Sequence, residues 1–195
     1  MATTGTIEIP PTEFGTILMR LHGESELIQH AWSEKAKRMM RDKQQKKATG
    51  PKEAKDPEAE YKAAMYTFED GSPGHPSVAF KAAAVAAARQ LDGLTMTFLR
   101  GVFHIPGELV TIEGQPRMRE DMVRLNGQTA DLRYRPGFPE WKAIVPVKYN
   151  KRAITMEQIV HLFNTAGFSV GVGEWRPDKN GPYGRFSVES VEVVD

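Results

Sequence analysis

The stretch from Gly167 to Phe186 constrains the fold most, because its composition interrupts both helices and regular strands. It holds five glycines, two prolines, three basic and four aromatic side chains. Glycines let a ligand backbone approach the main chain, while cations and aromatic faces suit phosphates and bases. We therefore predict a loop that contacts a single nucleic-acid strand. The alternative is a β-hairpin connection with turn glycines and a tryptophan that fills the core.

The segment before this loop predicts the clearest helix of the chain. Thr155 and Gln158 have the spacing of a capping box, and apolar residues recur at helical spacing from position 156 to 163. We expect Gly167 to be the left-handed residue that ends the helix. A second helix is predicted from Val78 to Leu91, since its alanines favour helix and one side is apolar.

Alternating apolar residues predict strands over 14–22, 141–149 and 185–193, and turn dipeptides divide 102–135 into short strands. Pro146 predicts an edge strand or a bulge, because proline cannot donate to a ladder. The slip in apolar phase after Val188 predicts a bulge near Ser190. The order gives an α+β fold with a ferredoxin-like β-α-β-β-α-β core, an antiparallel sheet and both helices on one face.

The core is expected to carry an insertion over residues 23–76, in a chain of one domain with an N-terminal arm over 1–11. A helix is predicted after Ser33, with Trp32, Ala36, Met39 and Met40 on one face. Residues 43–55 have almost no large apolar side chain and predict a mobile segment. A further helix is predicted to start at Asp56-Pro57.

The net charge of +1 does not by itself indicate a nucleic-acid binder, but the cations are clustered. One tract lies between positions 35 and 55, inside the insertion, and a second lies between positions 117 and 135. Such tracts suit phosphate contacts, and they equally suit solvated helix faces and surface loops.

Several classes of function lack a signature. The sequence has no cysteine, no apolar run of membrane-spanning length and no secretory signal, which together favour a cytoplasmic protein without a membrane partner. The five histidines are scattered without metal-ligand spacing, and no nucleophile motif or phosphate loop is present. We therefore expect no metal, no cofactor and no catalytic centre.

Two stretches resemble the RAMP superfamily, the repeat-associated proteins of CRISPR effector complexes. The helix from Thr155, the glycine-rich loop and Tyr183-Gly-Arg-Phe186 are similar to the family's closing part. His75 to Arg89 is similar to the Pro-x-Ser-x-Lys-x-x-x-Arg opening of its first helix, with Lys81 and Arg89 in the basic places. The sequences of Met118–Arg124 and Gly171–Pro177 also resemble those of uncharacterised proteins of tailed bacteriophages.

This resemblance implies a phage-encoded protein that binds single-stranded DNA or RNA in the host cytoplasm and assembles head to tail along the strand as a homo-oligomer. Residues of the insertion, the first core helix, the arginine tract and the glycine loop would contact the strand. They are Lys35, Lys37, Arg38, Arg41, Lys43, Lys46, Lys47, Lys81, Arg89, Arg117, Arg119, Arg124, Arg133, Arg135, Gly171, Gly173, Trp175, Arg176, Lys179, Tyr183 and Arg185.

Two other functions are consistent with the sequence. One is a metal-independent endoribonuclease of the kind some RAMP proteins are, for which His22, His30 and His104 are the candidate general bases. The other is a phage interaction protein that mimics or inhibits a host complex, with Trp175 and other aromatics as protein contacts.

Overall fold

The computed structural model describes residues 12–47, 54–125 and 129–194. The predicted arm over 1–11, the Asn126-Gly127 turn and the middle of the 43–55 segment lie outside these ranges. Elements follow in chain order: β1 Phe14–Gly23, β2 Leu27–Ile28, α1 Glu34–Gln44, α2 Pro57–Ala63, β3 Gly74–Pro76, α3 Ser77–Ala87, α4 Met96–Val102, β4 Phe103–His104, β5 Leu109–Glu113, β6 Arg117–Leu125, β7 Thr129–Phe138, β8 Lys142–Asn150, α5 Met156–Ser169 and β9 Phe186–Val194.

The main sheet has the strand order β3-β5-β8-β1-β9, and β4 pairs with the far end of β8. Each described pair of neighbours is antiparallel. Along the chain, a β-α-β-β-α-β unit is formed by β1, α3, β5, β8, α5 and β9 in that order. In the sheet, its second strand lies at one side, followed by the third, the first and the fourth. The predicted ferredoxin-like arrangement is therefore confirmed.

The core lies between one face of this sheet and the pair α3 and α5. Ile17, Met19 and Leu21 alternate along β1 and are fully buried, as period-two patterning requires. Phe80 of α3 and Phe163 of α5 are fully buried above them. No helix in the described part of the chain is long and apolar enough to cross a membrane.

Pro146 does not mark an edge strand, so that prediction is wrong. β8 pairs with β1 along its length, with Leu18 opposite Pro146. On the other side of β8, the registered partners of β5 and β4 reach residues 142–144 and 148–149. Proline therefore falls where the described strands leave that side of β8 unpaired, and its missing N–H breaks no ladder there. The predicted bulge near Ser190 is confirmed, because Arg20 pairs with Ser190 and Leu21 with Val188.

Helix α5 carries the predicted capping box, with Thr155 and Gln158 exchanging side-chain and backbone hydrogen bonds. Its predicted end is wrong. Gly167 lies inside the helix, which continues to Ser169, and the left-handed residue is Gly171 with φ of 69°. Gly167 is needed because a Cβ there would overlap the carbonyl oxygen of Phe186, at the contact between α5 and β9.

We predict that Gly167→Ala lowers the free energy of unfolding by about 1–3 kcal/mol, because the methyl group pushes α5 away from β9. Gly101→Ala in α4 is the matched control, since an added Cβ there meets nothing within 4 Å. The control is expected to be neutral or to stabilise by up to about 1 kcal/mol. Denaturant unfolding measures both, and equal effects of the two substitutions would refute the close-contact explanation.

The insertion is only partly as predicted. Ser33 and Asp56 cap α1 and α2 through side-chain hydrogen bonds, which confirms both helix starts. The expected apolar face of α1 is not buried: Trp32, Met39 and Met40 are exposed, at 62%, 56% and 48%. Helix α1 has no buried residue.

A second, smaller sheet has the order β2-β7-β6 and is built mainly by the β6–β7 hairpin between β5 and β8. Short β2, from the start of the insertion, pairs with the end of β7 at Phe138 and Gly137. The pleat places Arg117, Arg119 and Asp121 of β6 on one face, toward Glu26 and the glycine loop.

Candidate nucleic-acid interface

A groove of about 640 Å³ lies between α3, α4 and the start of the glycine loop. Small apolar residues of α3 form much of its lining, among them Ala82, Ala83 and Ala86. Four cations also line the groove: Lys81, Arg89, Arg100 and Arg176. The groove thus combines a smooth apolar wall with a concentration of positive charge, which suits a polyanion read through its backbone.

The alanines of α3 allow close packing on the buried side of the helix and leave space on its groove side. Ala84 and Ala87 are fully buried in the core, where α3 also packs against α5. Ala82 on the other side is exposed and lines the groove. Because alanine adds little bulk on either side, α3 lies close to its neighbours and leaves open space beside Lys81 and Arg89.

Lys81 is fixed at the groove by three contacts. Its Nζ donates to the carbonyl oxygen of Arg100 at 2.9 Å, lies 3.2 Å from His104 Nδ1 and stands 5.7 Å from the centre of the Phe103 ring. Burial lowers the pKa of Lys81. The ammonium group is therefore held in one position. Such preorganisation reduces the entropy that is lost when a phosphate binds to it.

The arginines of the hairpin are mostly engaged by carboxylates. Arg135 is 2% exposed, and its Nε and NH2 donate to Asp121 Oδ2 at 3.2 and 2.9 Å. Its NH1 donates to Glu174 at 3.3 Å, across to the glycine loop. Arg135 therefore holds the hairpin to the loop from inside the protein, and a phosphate cannot reach it.

Arg119 extends the same network toward the surface. It donates to Glu26 and, at 3.0 Å, to Asp121. Arg117, at the edge of the network, donates to Glu26 at 3.0 Å and is itself exposed. Three arginines thus face three carboxylates, Glu26, Asp121 and Glu174, so this part of the predicted basic surface is internally neutralised.

The two aromatics predicted to stack on bases lie against these arginines. The Arg135 guanidinium is 4.5 Å from the centre of the Trp175 ring, and Arg119 is 5.1 Å from that of Tyr183. The two rings lie 6.1 Å apart. Trp175 also has a left-handed φ of 50°, a conformation that bulky residues adopt only where packing fixes it. Cation–π contact holds one side of each ring.

The glycines of the loop serve the chain's own packing. Gly171 and Gly173 have φ of 69° and 78°. A Cβ on Gly173 would lie 2.5 Å from the carbonyl oxygen of Ile28, and one on Gly171 would lie 2.7 Å from Pro177. Both glycines are explained by their turns and close approaches, as in the turn alternative.

The remaining predicted cations are dispersed. Arg133 bonds Asp131 at 2.8 Å and lies 3.3 Å from His30. Arg185 is half-buried before β9, Lys179 is exposed at the outer side of the loop, and Arg124 is exposed near the hairpin tip. The insertion contributes exposed cations of α1 and the residues after it, away from the groove lining: Lys35, Lys37, Arg38, Arg41, Lys43, Lys46 and Lys47.

Two of the three candidate ribonuclease histidines face a cation. His104 Nδ1 lies 3.2 Å from Lys81 Nζ, and His30 Nε2 lies 3.3 Å from Arg133 NH1. A neutral imidazole has one nitrogen lone pair, and here a cationic donor engages it. Neither ring is thus placed to act as a general base. No cluster suited to a metal ion occurs among the described residues.

His75 is the one buried histidine of the described chain. It is 3% exposed, packs edge-on against Tyr66 and Phe80, and its Nδ1 has no hydrogen-bond partner. Burial lowers the pKa of His75 to about 3. Its imidazole is therefore neutral in the folded protein and joins the core as an aromatic ring.

We predict that this histidine makes the fold acid-sensitive. Below pH 6.5 His75 is protonated in the unfolded chain, whereas in the folded protein it stays neutral down to about pH 3. Stability present above pH 6.5 is therefore lost as the pH falls, at up to about 1.4 kcal/mol per pH unit. Denaturant unfolding between pH 7 and 4.5 should show that the free energy of unfolding falls less steeply with decreasing pH for His75→Leu than for wild type. His161→Gln, at an exposed position, is the control, and a His75→Leu slope equal to the wild-type slope would contradict the prediction.

Sequence reasoning missed Arg100, because it assigned no element to residues 94–101. The signal is present: Thr95 caps α4, and Met96, Leu99 and Val102 recur at helical spacing. It also missed the carboxylates that engage the hairpin arginines. No local pattern predicts the pairing with Glu26 and Glu174, since both are distant from the hairpin in sequence.

No family model and no curated protein matches the sequence. Solved structures do match. A chain of the type III-B Cmr-beta complex, described as bound to cognate target RNA, aligns with a TM-score of 0.52 and 8% identity over 93% of this chain. The present chain covers 61% of the length of that Cmr-beta chain.

The protein has a RAMP-type fold. The Cmr6 protein of Pyrococcus furiosus also aligns, with a TM-score of 0.48 and 13% identity over 90% of this chain and 99% of its own. Within the RAMP-type fold, the groove lies beside the first core helix, α3, and the loop that follows the second, α5. Both segments are those whose sequence resembles the superfamily.

Proposed function

We propose that the protein binds single-stranded nucleic acid in the groove along α3. The observation that carries this proposal is the meeting of Lys81, Arg89, Arg100 and Arg176 beside an alanine wall. Three of these cations come from the two segments that resemble RAMP proteins, and the fourth comes from α4. The fold supports the proposal, since one structural relative belongs to a Cmr-beta complex described as bound to cognate target RNA.

The chemistry of the groove favours recognition through the backbone of the strand. Its lining includes four cations but no aromatic ring, so phosphate contacts dominate and base identity is read weakly. Arg100 and Arg89 are exposed at the groove and Lys81 is half-buried. A strand lying along α3 meets these cations in succession. The exposed cations of α1 add electrostatic attraction outside the groove.

A salt titration tests this proposal. Fluorescence anisotropy with mixed-sequence single-stranded DNA and RNA of equal length is expected to show binding at low salt. The logarithm of the association constant should fall linearly with the logarithm of salt concentration, with a slope of about −2 to −3 for three to four phosphate contacts. An absence of binding to both strands at 20 mM salt (about 20 Å of screening length) would refute the proposal.

The phage origin, the host-cytoplasm setting and head-to-tail assembly along the strand remain part of the proposal and rest on the sequence resemblance. Electron microscopy with and without a long single strand tests assembly. Regular filaments that need the strand support it, and monodisperse particles in both samples argue against it.

A second candidate function, a protein-interaction role, is favoured by α1. Met39 and Met40 are exposed apolar residues of this largely basic helix, and exposed Trp32 lies just before its N-cap Ser33. Amphipathic helices with such apolar residues are typical of helices that dock on a partner. Pull-down from host lysate before and after nuclease treatment, with Met39→Ser and Met40→Ser as the variant, separates the two functions. Partners that survive nuclease and need these methionines favour the interaction role.

A further inference from the structure

We propose that Asp178 is a built-in counter-anion of the groove, which a phosphate of the bound strand must displace. The inference rests on the proposed function and adds a residue that sets its affinity. Asp178 is the one carboxylate among the described residues that line the groove, and it stands at the side where the glycine loop forms the wall.

Three cations surround this carboxylate. Arg176 NH2 and Lys179 Nζ each lie 3.7 Å from Asp178 Oδ2, and Arg89 NH1 lies 4.0 Å from Oδ1. These separations are within ion-pair range and longer than a direct hydrogen bond. The cations are therefore attracted to the carboxylate, while their N–H groups remain available to a nearer acceptor.

The backbone fixes the carboxylate in this position. The Asp178 N–H donates to the carbonyl oxygen of Val170, and a short 3-10 turn over Pro177–Lys179 ends at Asn180 with a left-handed φ of 60°. Pro177 further limits the turn. Asp178 thus stays close to Arg89, which lies in the short 3-10 turn Ala88–Gln90 that follows α3, and ties the loop to the end of that helix.

A phosphate satisfies the same cations better than the carboxylate does. It carries more acceptor oxygens, and Arg89 and Arg176 present planar guanidinium groups suited to bidentate contact. The Asp178 carboxylate repels an incoming phosphate and competes with it for both arginines. This competition lowers the affinity of an otherwise basic groove and makes binding more readily reversible.

The test compares two isosteric substitutions that remove the same charge. Asp178→Asn removes the counter-anion, and Glu192→Gln removes an exposed carboxylate of β9 that does not line the groove. One unit charge about 4 Å away in water corresponds to about a fivefold change in affinity. We expect Asp178→Asn to bind a single-stranded oligonucleotide about fivefold more tightly than wild type at low salt, and Glu192→Gln to bind it within about twofold.

A double variant distinguishes local competition for the arginines from a change in the overall electrostatic field of the protein. In the Arg176→Gln background, Asp178→Asn should give a smaller gain, because one of the two arginines it frees is absent. A gain equal for Asp178→Asn and Glu192→Gln, or no gain in either, overturns the inference while wild-type binding leaves the proposed function standing. If neither wild type nor Asp178→Asn binds, both fail. A gain for Asp178→Asn over a wild type that binds, with little change for Glu192→Gln, supports the counter-anion role.

Discussion

A protein with Arg89→Gln, Arg100→Gln and Arg176→Gln together is expected to bind single-stranded oligonucleotide about 100-fold more weakly than wild type at low salt. Each lost phosphate contact at this open groove is assigned about 1 kcal/mol, the net value of a typical hydrogen bond, so three contacts give about 100-fold. The salt slope should also become shallower by about 2, since each contact on a single strand contributes about 0.7. Anisotropy titrations at several salt concentrations measure both quantities.

The matched control removes three exposed cations outside the groove, Lys62, Lys148 and Lys151, also by substitution with glutamine. It changes the net charge by the same amount, so a loss confined to the groove variant identifies a site. Equal losses in the two triple variants would mean that the whole surface field, and not the groove, carries the binding. Denaturant unfolding of both variants checks that the fold is intact.

Arg135→Ala is expected to have the largest effect on stability, lowering the free energy of unfolding by about 3–5 kcal/mol. Arg135 is 2% exposed and is paired with Asp121, which is 7% exposed. Removing one partner leaves a buried carboxylate with a smaller set of donors, and that cost exceeds the worth of the pair itself. The substitution also removes the guanidinium that packs on Trp175. Denaturant unfolding measures the change.

Arg124→Ala is the control, because this exposed arginine of the same hairpin should change stability by less than about 0.5 kcal/mol. The double substitution Asp121→Ala with Arg135→Ala is expected to recover part of the loss, since it leaves no unpaired buried carboxylate. If Arg135→Ala proves as mild as Arg124→Ala, the network does not hold the hairpin to the loop.

The framework of the fold could be read from local patterns. Alternating strands and the capping box of α5 depend on neighbouring residues, so β1, β8, β9 and the two core helices were predicted in the right order. Their order, combined with the limited set of α+β topologies, was enough to predict the ferredoxin-like core. Local spacing failed at Gly167, whose role depends on Phe186 in a different element.

The candidate site was predicted less completely, for a similar reason. Lys81, Arg89 and Arg176, each predicted to contact the strand, line one groove, but no sequence pattern placed them together, and Arg100 and Asp178 were not predicted. Composition alone made every arginine of the 117–135 tract a phosphate ligand. It does not reveal which cations already have carboxylate partners, because Glu26 and Glu174 are far away in sequence and because the side-chain pairing of Asp121 and Asp131 depends on the folded hairpin.

The glycine loop shows how composition can favour the wrong contact. Its aromatics and cations are the residue types that bind single strands, yet Trp175 and Tyr183 lie against Arg135 and Arg119. The loop instead contributes Arg176 and Asp178 to the groove from its outer part. Its glycines allow the close packing that places these two side chains beside α3.

Photo-cross-linking tests the central claim, that the strand lies in the groove along α3, most directly. A single-stranded oligonucleotide carrying 5-iodouracil at successive positions is irradiated with the protein, and the linked peptides are mapped by mass spectrometry. Met96 lines the groove, so cross-links are predicted at Met96 and in the residues 170–178 that face it. They should disappear in the Arg89, Arg100 and Arg176 triple variant. Cross-links confined to Trp32 and Met39 of the insertion, with none in the groove, would contradict the claim.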